Sequence, residues 1–308
     1  MTRKLGVLAG CVMALALSRV SVAQTAKMEF DVASVRQNKA EITKDSGPSS
    51  NFPLGPGAMY SPNGGTFSAT KMPLFIYIMF AYKMSDHEVQ ALQKQLPAWA
   101  LEERYDIQAK TDKHDATKDE MRLMMQSLLA ERFKLAVHMG SEETPVFGLE
   151  VAKPGKLGPK LRVHPADGPP CSNDIPSAPK PGETAAPQMV EGGFPAICGG
   201  AAALPGTAHG HIEMGFRNVP LALIASQMQG FGGLDRPVVD MTGLDGKYDF
   251  AMSYTRQLPP DVTPPADWDT EGVSFQQALL EQTGLKLVPS KHAVEVVLID
   301  HIEHLVAE

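Results

Sequence analysis

Two short histidine groups contain the densest sets of possible metal ligands in the 308-residue chain. They are His209-Gly210-His211 and, near the chain end, His301-Ile302-Glu303-His304. Imidazole and carboxylate groups bind zinc and related ions, and Asp300 or Glu303 could act as a third ligand. The helical His-Glu-x-x-His spacing of metalloproteases is missing, however, and solvated polar residues are common at a chain end. We therefore predict no bound metal and no other cofactor, and we keep a metal-assisted hydrolase that uses the C-terminal histidines as the alternative.

Two aspartates that follow tyrosines are the other candidates for chemistry. Tyr105-Asp106 and Tyr248-Asp249 lie at corresponding places in the chain, and paired carboxylates can act as a general acid and base. Equivalent positions in duplicated domains are not brought together automatically, so we interpret both steps as structural entries into strands. The sequence also has no Gly-x-Ser-x-Gly nucleophile motif, no phosphate-binding loop and no dinucleotide-binding fingerprint. We assign no catalytic residue and expect binding rather than catalysis.

Cys171 and Cys198 are the two cysteines outside the N-terminal segment. A metal pair and a redox pair are alternatives to a structural bridge, but the Cys-x-x-Cys spacing and adjacent ligands are missing. We predict a disulfide, which in the chain-entropy model contributes roughly 3–4 kcal/mol for a loop of this length.

The first 23 residues have the features of a secretory signal peptide. Arg3 and Lys4 precede the apolar run Leu5 to Leu17, and Ser21-Val22-Ala23 offers small residues for cleavage. The alternative is a lipoprotein, because Leu8-Ala9-Gly10-Cys11 resembles a lipobox with Cys11 as the lipidated residue. The apolar stretch before Cys11 is short for that purpose. We predict an exported protein, periplasmic or extracellular, without a transmembrane segment once the signal is removed.

The negative net charge of the chain argues against two classes of binding partner. A formal net charge of −7 argues against nonspecific nucleic-acid binding and against a polybasic membrane-binding patch. An envelope protein is the partner that we consider.

Three short segments recur in the same order, at offsets of 147, 143 and 151–152 residues. A period near 150 residues indicates two copies of one domain rather than a solenoid. The matched segments are Pro73-Leu74-Phe75-Ile76 with Pro220-Leu221-Ala222-Leu223, Arg104-Tyr105-Asp106-Ile107 with Lys247-Tyr248-Asp249-Phe250, and Leu128-Leu129 with Leu279-Leu280.

Each copy is predicted to run strand, helix, strand, helix, strand, strand. Thr117 and Glu120 form a capping box before a helix with the apolar stripe Met121, Met124 and Met125, and Ser274 begins a similar helix that ends at Gly284. Two separate extended stretches follow each helix; they are 134–139 and 145–152, then 285–289 and 293–300.

The predicted fold class is therefore α+β, with two related modules, each a small mixed sheet with helices on one face. The boundaries are 1–23 for the signal peptide, 24–153 for the first module, 154–210 for a linker and 211–308 for the second module. The linker holds 11 of the 25 prolines and 10 of the 27 glycines, which predicts a long Pro/Gly-rich connection without regular structure, held by the disulfide.

Several motifs resemble an exported family of unknown function that is abundant in soil Acidobacteria. They are Phe30–Arg36, Pro97-Ala98-Trp99, Leu128–Leu135 and, most specifically, Arg236–Phe250, which includes Arg236, Asp240, Gly243, Gly246, Tyr248 and Asp249. Gln95 stands near where that family usually has glycine. The resemblance implies export and this fold, and it brings no activity or cofactor. We add the hypothesis that Arg236 and Asp240 form a buried polar network that fixes the turn before Gly243.

The second copy is also similar to the short periplasmic domain at the N-termini of secretins and TonB-dependent receptors. The similarity lies in Thr283-Gly284-Leu285 after a helix and in the strand Val297-Leu298-Ile299. Such domains bind protein partners, so this resemblance favours a noncatalytic protein- or ligand-binding module in the cell envelope. A sheet edge or the Pro-rich linker would supply the binding surface.

Overall fold

The computed structural model describes residues 27–43, 46–60, 62–172, 188–204, 210–258, 262–263, 265–268 and 272–305. The predicted signal peptide with Cys11, and His209 of the first histidine group, lie outside these residues. The fold class is α+β, as predicted. Within the described residues, no helix is both long and apolar enough to cross a membrane.

The first half of the structure has five strands and four helices. In chain order they are β1 (Val32–Gln37), β2 (Ser49–Ser50), β3 (Thr66–Pro73), α1 (Leu74–Ala81), α2 (Asp86–Gln95), α3 (Ala98–Glu102), β4 (Arg104–Lys110), α4 (Lys118–Arg132) and β5 (Ala136–Val151). Strands β1 to β4 form an antiparallel sheet in the order β1-β4-β3-β2.

Helix α4 begins where the sequence predicts. The Thr117 side chain accepts the Glu120 N–H and the Glu120 carboxylate accepts the Thr117 N–H, so the capping box satisfies free donors of the first turn. Met121, Met124 and Met125 are buried in the first core, together with Phe67, Tyr77 and Phe133 from the sheet and its flanking elements. The methionine stripe therefore fills the core, as interpreted from its spacing.

Four short strands occupy the segment between the two halves. They are β6 (Leu161–Val163), β7 (Met189–Val190), β8 (Phe194–Pro195) and β9 (Ala201–Ala203). The expectation that this segment lacks regular structure is therefore wrong. The strands are two or three residues long and alternate with proline- and glycine-rich turns, so proline removes few ladder bonds from them.

The second half contains the remaining elements. They are β10 (His211–Val219), α5 (Leu221–Gly232), β11 (Val238–Asp240), β12 (Tyr248–Thr255), α6 (Phe275–Ala278), which continues as a π-helical segment (Leu279–Thr283), and β13 (Leu285–His301). A second antiparallel sheet has the order β6-β12-β10-β9, so two of the short strands extend it at both edges.

Strands β5 and β13 pair antiparallel over their whole length and form a long ribbon, and β11 joins β5 in parallel. We call this pair the β5–β13 ribbon. The sequence predicts two separate stretches in place of each strand, which is wrong because two prolines do not interrupt the ladder. Phe147 donates its N–H to the Pro237 carbonyl, which lies outside the ribbon. The backbone N–H and C=O groups of odd-numbered β5 residues therefore point away from β13 at this place. Pro145 falls on the same outward set, and Pro289, opposite Phe147, faces outward on β13.

The ribbon connects the two hydrophobic cores. Val297 of β13 is buried in the first core, whereas Leu149 of β5 is buried in the second core beside Leu285. Each core thus includes a strand from the other predicted module. The duplication and the module boundaries stay predictions, supported by the shared order of strand, proline-capped helix, strand, helix and long strand.

Candidate functional site

Cys171 and Cys198 form a disulfide, with their Cα atoms 5.4 Å apart. Next to it, the buried Arg217 side chain donates to the Pro169, Pro170 and Ala196 carbonyls. The bridge and this arginine together hold the segment between the halves against β10, which is a structural role.

The C-terminal histidines take part in separate contacts. His301 lies 2.8 Å from Glu303, while His304 stacks on Trp99 with ring centroids 4.1 Å apart. Among the residues that the structure describes, no three His, Cys, Asp or Glu side chains are grouped so that they could hold a metal ion. Nothing in this region supports a metal-assisted hydrolase.

Asp106 and Asp249 each bond the backbone of the neighbouring strand in their sheet. Asp106 accepts the Lys71 N–H at 2.8 Å, and Asp249 accepts the Asn218 N–H at 3.2 Å. Lys71 and Asn218 both have positive φ and both lie at a register shift between paired strands. The two carboxylates belong to different sheets and stabilise equivalent bulges, which agrees with their structural interpretation.

Asp249 is fully buried and has two further partners. His164 Nδ1 lies 2.6 Å from one carboxylate oxygen, and Arg162 Nε donates to the other at 3.1 Å. Arg162 also lies over the Phe194 ring at 4.4 Å. The family-motif residue Asp249 therefore stabilises the pairing of β6 with β12, and it positions Arg162, which contacts the hairpin of β7 and β8.

Arg236 and Asp240 do not bond each other, so the predicted polar network between them is wrong. Arg236 binds the neighbouring Asp235 through two nitrogens, at 3.1 and 2.7 Å. Asp240 accepts the N–H and the hydroxyl of Thr242 at 3.0 and 2.7 Å. Each side chain thus bonds a near neighbour in the chain: Asp235 directly precedes Arg236, and Thr242 lies two positions after Asp240.

The turn after β11 uses the motif glycines. Gly243 and Gly246 have φ values of 65° and 98°, a region that side chains with Cβ rarely adopt. The Tyr248 hydroxyl donates to the Asp245 carbonyl at 3.2 Å and closes the turn. The motif thus encodes a turn and a buried strand, and its first part also borders a cleft.

A cleft lies where α2 of the first half meets α5, β11 and the β5–β13 ribbon. It consists of two adjoining cavities of about 610 and 310 Å³, which share His87 and Pro237 in their walls. Arg236 lines the larger cavity and Asp240 the smaller one. We call these two cavities the inter-half cleft. The motif residues Arg236 and Asp240 therefore both lie in its wall.

Two side chains at this cleft have buried polar atoms without a hydrogen-bond partner in the described part of the chain. They are His87, through Nε2, and Gln229, through Oε1. Gln229 is only 6% exposed, and its amide nitrogen makes one long contact of 3.4 Å with Gln90. A buried amide oxygen without a partner is destabilising, so this atom is available to accept a hydrogen bond from a polar group of a ligand.

Arg236 has two side-chain partners at the edge of the larger cavity. Its guanidinium lies over the Phe147 ring at 4.8 Å while Asp235 occupies two of its nitrogens. Lys94 and Glu142 line the same cavity from α2 and β5. Charges of both signs therefore surround an interior that also has apolar walls.

Asp86 connects the two helices beside the cleft. Its carboxylate accepts the Gly230 N–H at 2.8 Å, so α2 of the first half is attached to α5 of the second half. Burial raises the pKa of Asp86 above its usual range, although the bond from Gly230 opposes this effect. A second connection, from Gln95 to β13, fixes the other end of α2.

The sequence does not single out His87, Gln90 or Gln229, because they lie on different elements with no mutual spacing. One signal was present for Gln229. Leu221, Ile224, Ala225 and Met228 form the apolar stripe of α5, and Gln229 continues that stripe with a polar side chain. A polar side chain on a buried helix face needs a hydrogen-bond partner, so this residue type at this position indicates a polar contact.

The fold and the cleft define an α+β protein with a partly polar cavity between its two halves. Residues 76–302 match the family described as protein of unknown function (DUF3738), and the chain belongs to this family. No curated protein and no solved structure matches the chain significantly.

Proposed function

We propose that this protein is a noncatalytic binding module of the cell envelope that binds its ligand in the inter-half cleft. The observation that carries the proposal is the buried Gln229 amide oxygen, which lacks a partner at the wall of a cavity of about 610 Å³. Cavities of this size, lined by apolar groups and a few polar ones, are typical of ligand sites.

The position of the cleft supports this function. Its walls come from both halves, and its ends are fixed by the Asp86 contact with Gly230 and by the Gln95 contacts with β13. Because these contacts hold the walls together before a ligand enters, less ordering is needed on binding, so more of the contact energy appears as affinity.

Export is part of the proposal. The N-terminal segment supports it at the sequence level, and the disulfide is of the kind that persists in oxidising compartments. The partner or ligand would then be a component of the envelope or its surroundings.

The test is a thermal-shift panel of sugars, nucleosides, dicarboxylates and capped short peptides. It uses the wild type, Gln229→Met and the matched control Gln227→Met, whose side-chain amide contacts the Leu223 carbonyl one turn earlier in the same helix. A compound that binds in the cleft raises the melting temperature of the wild type and Gln227→Met by several degrees, but not that of Gln229→Met. If every stabilising compound acts equally on all three proteins, the cleft is not the binding site.

A further inference from the structure

We propose that the ligand is an extended peptide segment of a partner protein, which pairs as an added strand with the outer edge of β13 around Ala293 and Glu295. This inference rests on the proposed function and specifies the class of ligand for the inter-half cleft. The affinity of such a complex comes from main-chain hydrogen bonds, and pockets for alternate side chains give specificity.

The register of the ribbon identifies which β13 groups face away from β5. Gln95 donates from Nε2 to the Val297 carbonyl at 3.1 Å and accepts the Ile299 N–H at 3.0 Å. These two groups therefore point outward, and pairing with β5 continues without a shift from Leu285 to Ile299. Because strand residues alternate in direction, Ala293 and Glu295 also present their N–H and C=O groups outward.

No strand of the described chain pairs with this outer edge, since β13 is terminal in the sheet order β11-β5-β13. Ala293 and Glu295 are exposed, as are their neighbours Lys291 and His292. An unpaired edge of this kind is a template for another extended chain.

The same stretch of β13 forms part of the wall of the smaller cavity. This cavity is lined by the four consecutive residues from His292 to Glu295, so residues from both side-chain faces of the strand border it. The other walls come from the starts of α2 and α5 and from β11, which lies on the opposite side of β5 from β13. A peptide on the edge would therefore have a volume of about 310 Å³ on one side for its side chains.

Two residues limit the length of the free edge. Pro289 has no N–H to offer, and Gln95 already occupies the outward groups of Val297 and Ile299. Gln95 binds through an amide that accepts and donates as a peptide group of a neighbouring strand would, so the chain itself demonstrates this mode of binding. The open stretch between them, residues 290–296, matches about five to seven residues of added strand, at about 3.3 Å per residue.

The charges of the cavity favour a peptide with a basic side chain. Three carboxylates line the smaller cavity, from Glu88, Asp240 and Glu295. The basic side chains in its lining are the imidazoles of His87 and His292. Opposite charges across a partly buried interface improve specificity and association rate.

The experiment selects binders from a mixture of N-acetylated, C-amidated random hexapeptides on the purified full chain, with detection by mass spectrometry. Ala293→Pro removes one outward N–H without removing a bond to β5. The matched control is Ser141→Pro, which removes an outward N–H from the opposite edge of the ribbon, since Ser141 pairs with Glu295. A second arm uses the selected peptides with alternate amides N-methylated, which leaves the protein unchanged.

We expect basic hexapeptides to bind the wild type and Ser141→Pro, with at least tenfold weaker binding to Ala293→Pro and after N-methylation. Equal binding of both N-methylated and unmodified peptides would overturn the added-strand mode. A dimer in the absence of peptide that dissociates in Ala293→Pro would also overturn it, because a second copy would then occupy the edge.

The experiments distinguish a failure of the peptide inference from a failure of the proposed function. If only non-peptide compounds bind, and Gln229→Met prevents their binding, the peptide inference fails and the cleft remains a ligand site. If neither the hexapeptides nor the compound panel gives binding that depends on Gln229 or Ala293, both proposals fail.

Discussion

The backbone N–H of Asn218 donates to the buried carboxylate of Asp249 across 3.2 Å, at a bulge where Asn218 has a φ of 57°. The same relationship occurs between Lys71, with a φ of 54°, and Asp106. A left-handed residue in a strand costs backbone energy, and the carboxylate offsets that cost by satisfying the N–H that the bulge removes from the ladder. The recurrence of Tyr-Asp in the chain is therefore explained by a recurring bulge.

Replacement of Asp249 by alanine is expected to lower the free energy of unfolding by about 2–4 kcal/mol, because it leaves buried partners without an acceptor. Asp249→Asn keeps one acceptor oxygen and should lose less. The measurement is urea unfolding, with the exposed Asp245→Ala as control. Equal stability of Asp249→Ala and the control would contradict this role.

The parts of the fold that follow from local pattern were predictable. The capping box of Thr117 and the stripe of Met121, Met124 and Met125 fixed α4 because both signals lie within one element. The ribbon was not predictable in this way. Whether Pro289 breaks a strand depends on which side its nitrogen faces, and that is decided by pairing with Phe147, more than 140 residues away.

The cleft shows the same limit. His87 and Gln229 line the same cavity because Asp86 connects α2 with α5, and no spacing in the sequence predicts that contact. Arg236 was singled out by its motif, but its partner was misassigned, since the sequence does not show that Asp240 turns toward Thr242 instead.

Hydrogen exchange should divide the ribbon amides into two classes. The Ile299 N–H is bonded to Gln95 and should exchange slowly, whereas the outward N–H groups of Ala293 and Glu295 should exchange quickly. Gln95→Ala should accelerate exchange at Ile299 by at least tenfold and leave Val294, which faces β5, protected. Unchanged protection of Ile299 would mean that another group bonds it.

Loss of the disulfide should destabilise the protein without rearranging it. The double variant Cys171→Ser, Cys198→Ser is expected to lose roughly 3–4 kcal/mol in free energy of unfolding, since the bridge mainly restricts the unfolded chain. Arg217 still holds the Ala196 carbonyl, so the circular dichroism spectrum should be unchanged. Thiol reductant should lower the melting temperature of the wild type and have no effect on the double variant.

Lys118 should make the stability rise with pH. It is 5% exposed, and its ammonium donates to the carbonyls of Gly55 and Met59 at 2.9 and 3.2 Å. Burial, assisted by the charge of Arg122, lowers the pKa of Lys118 from 10.5 to about 7. Between these two values the unfolded chain binds more protons than the folded one, so the free energy of unfolding increases with pH.

The slope from this one group is at most about 1.4 kcal/mol per pH unit, and it acts between pH 7 and 10. Lys118→Met removes the titration, so the stability of the wild type relative to this variant should increase steadily over that interval. The exposed Lys39→Met is the control, and its difference from the wild type should not vary with pH. A constant difference between the wild type and Lys118→Met, measured by urea unfolding at pH 7, 8 and 9, would show that the buried ammonium keeps its ordinary pKa.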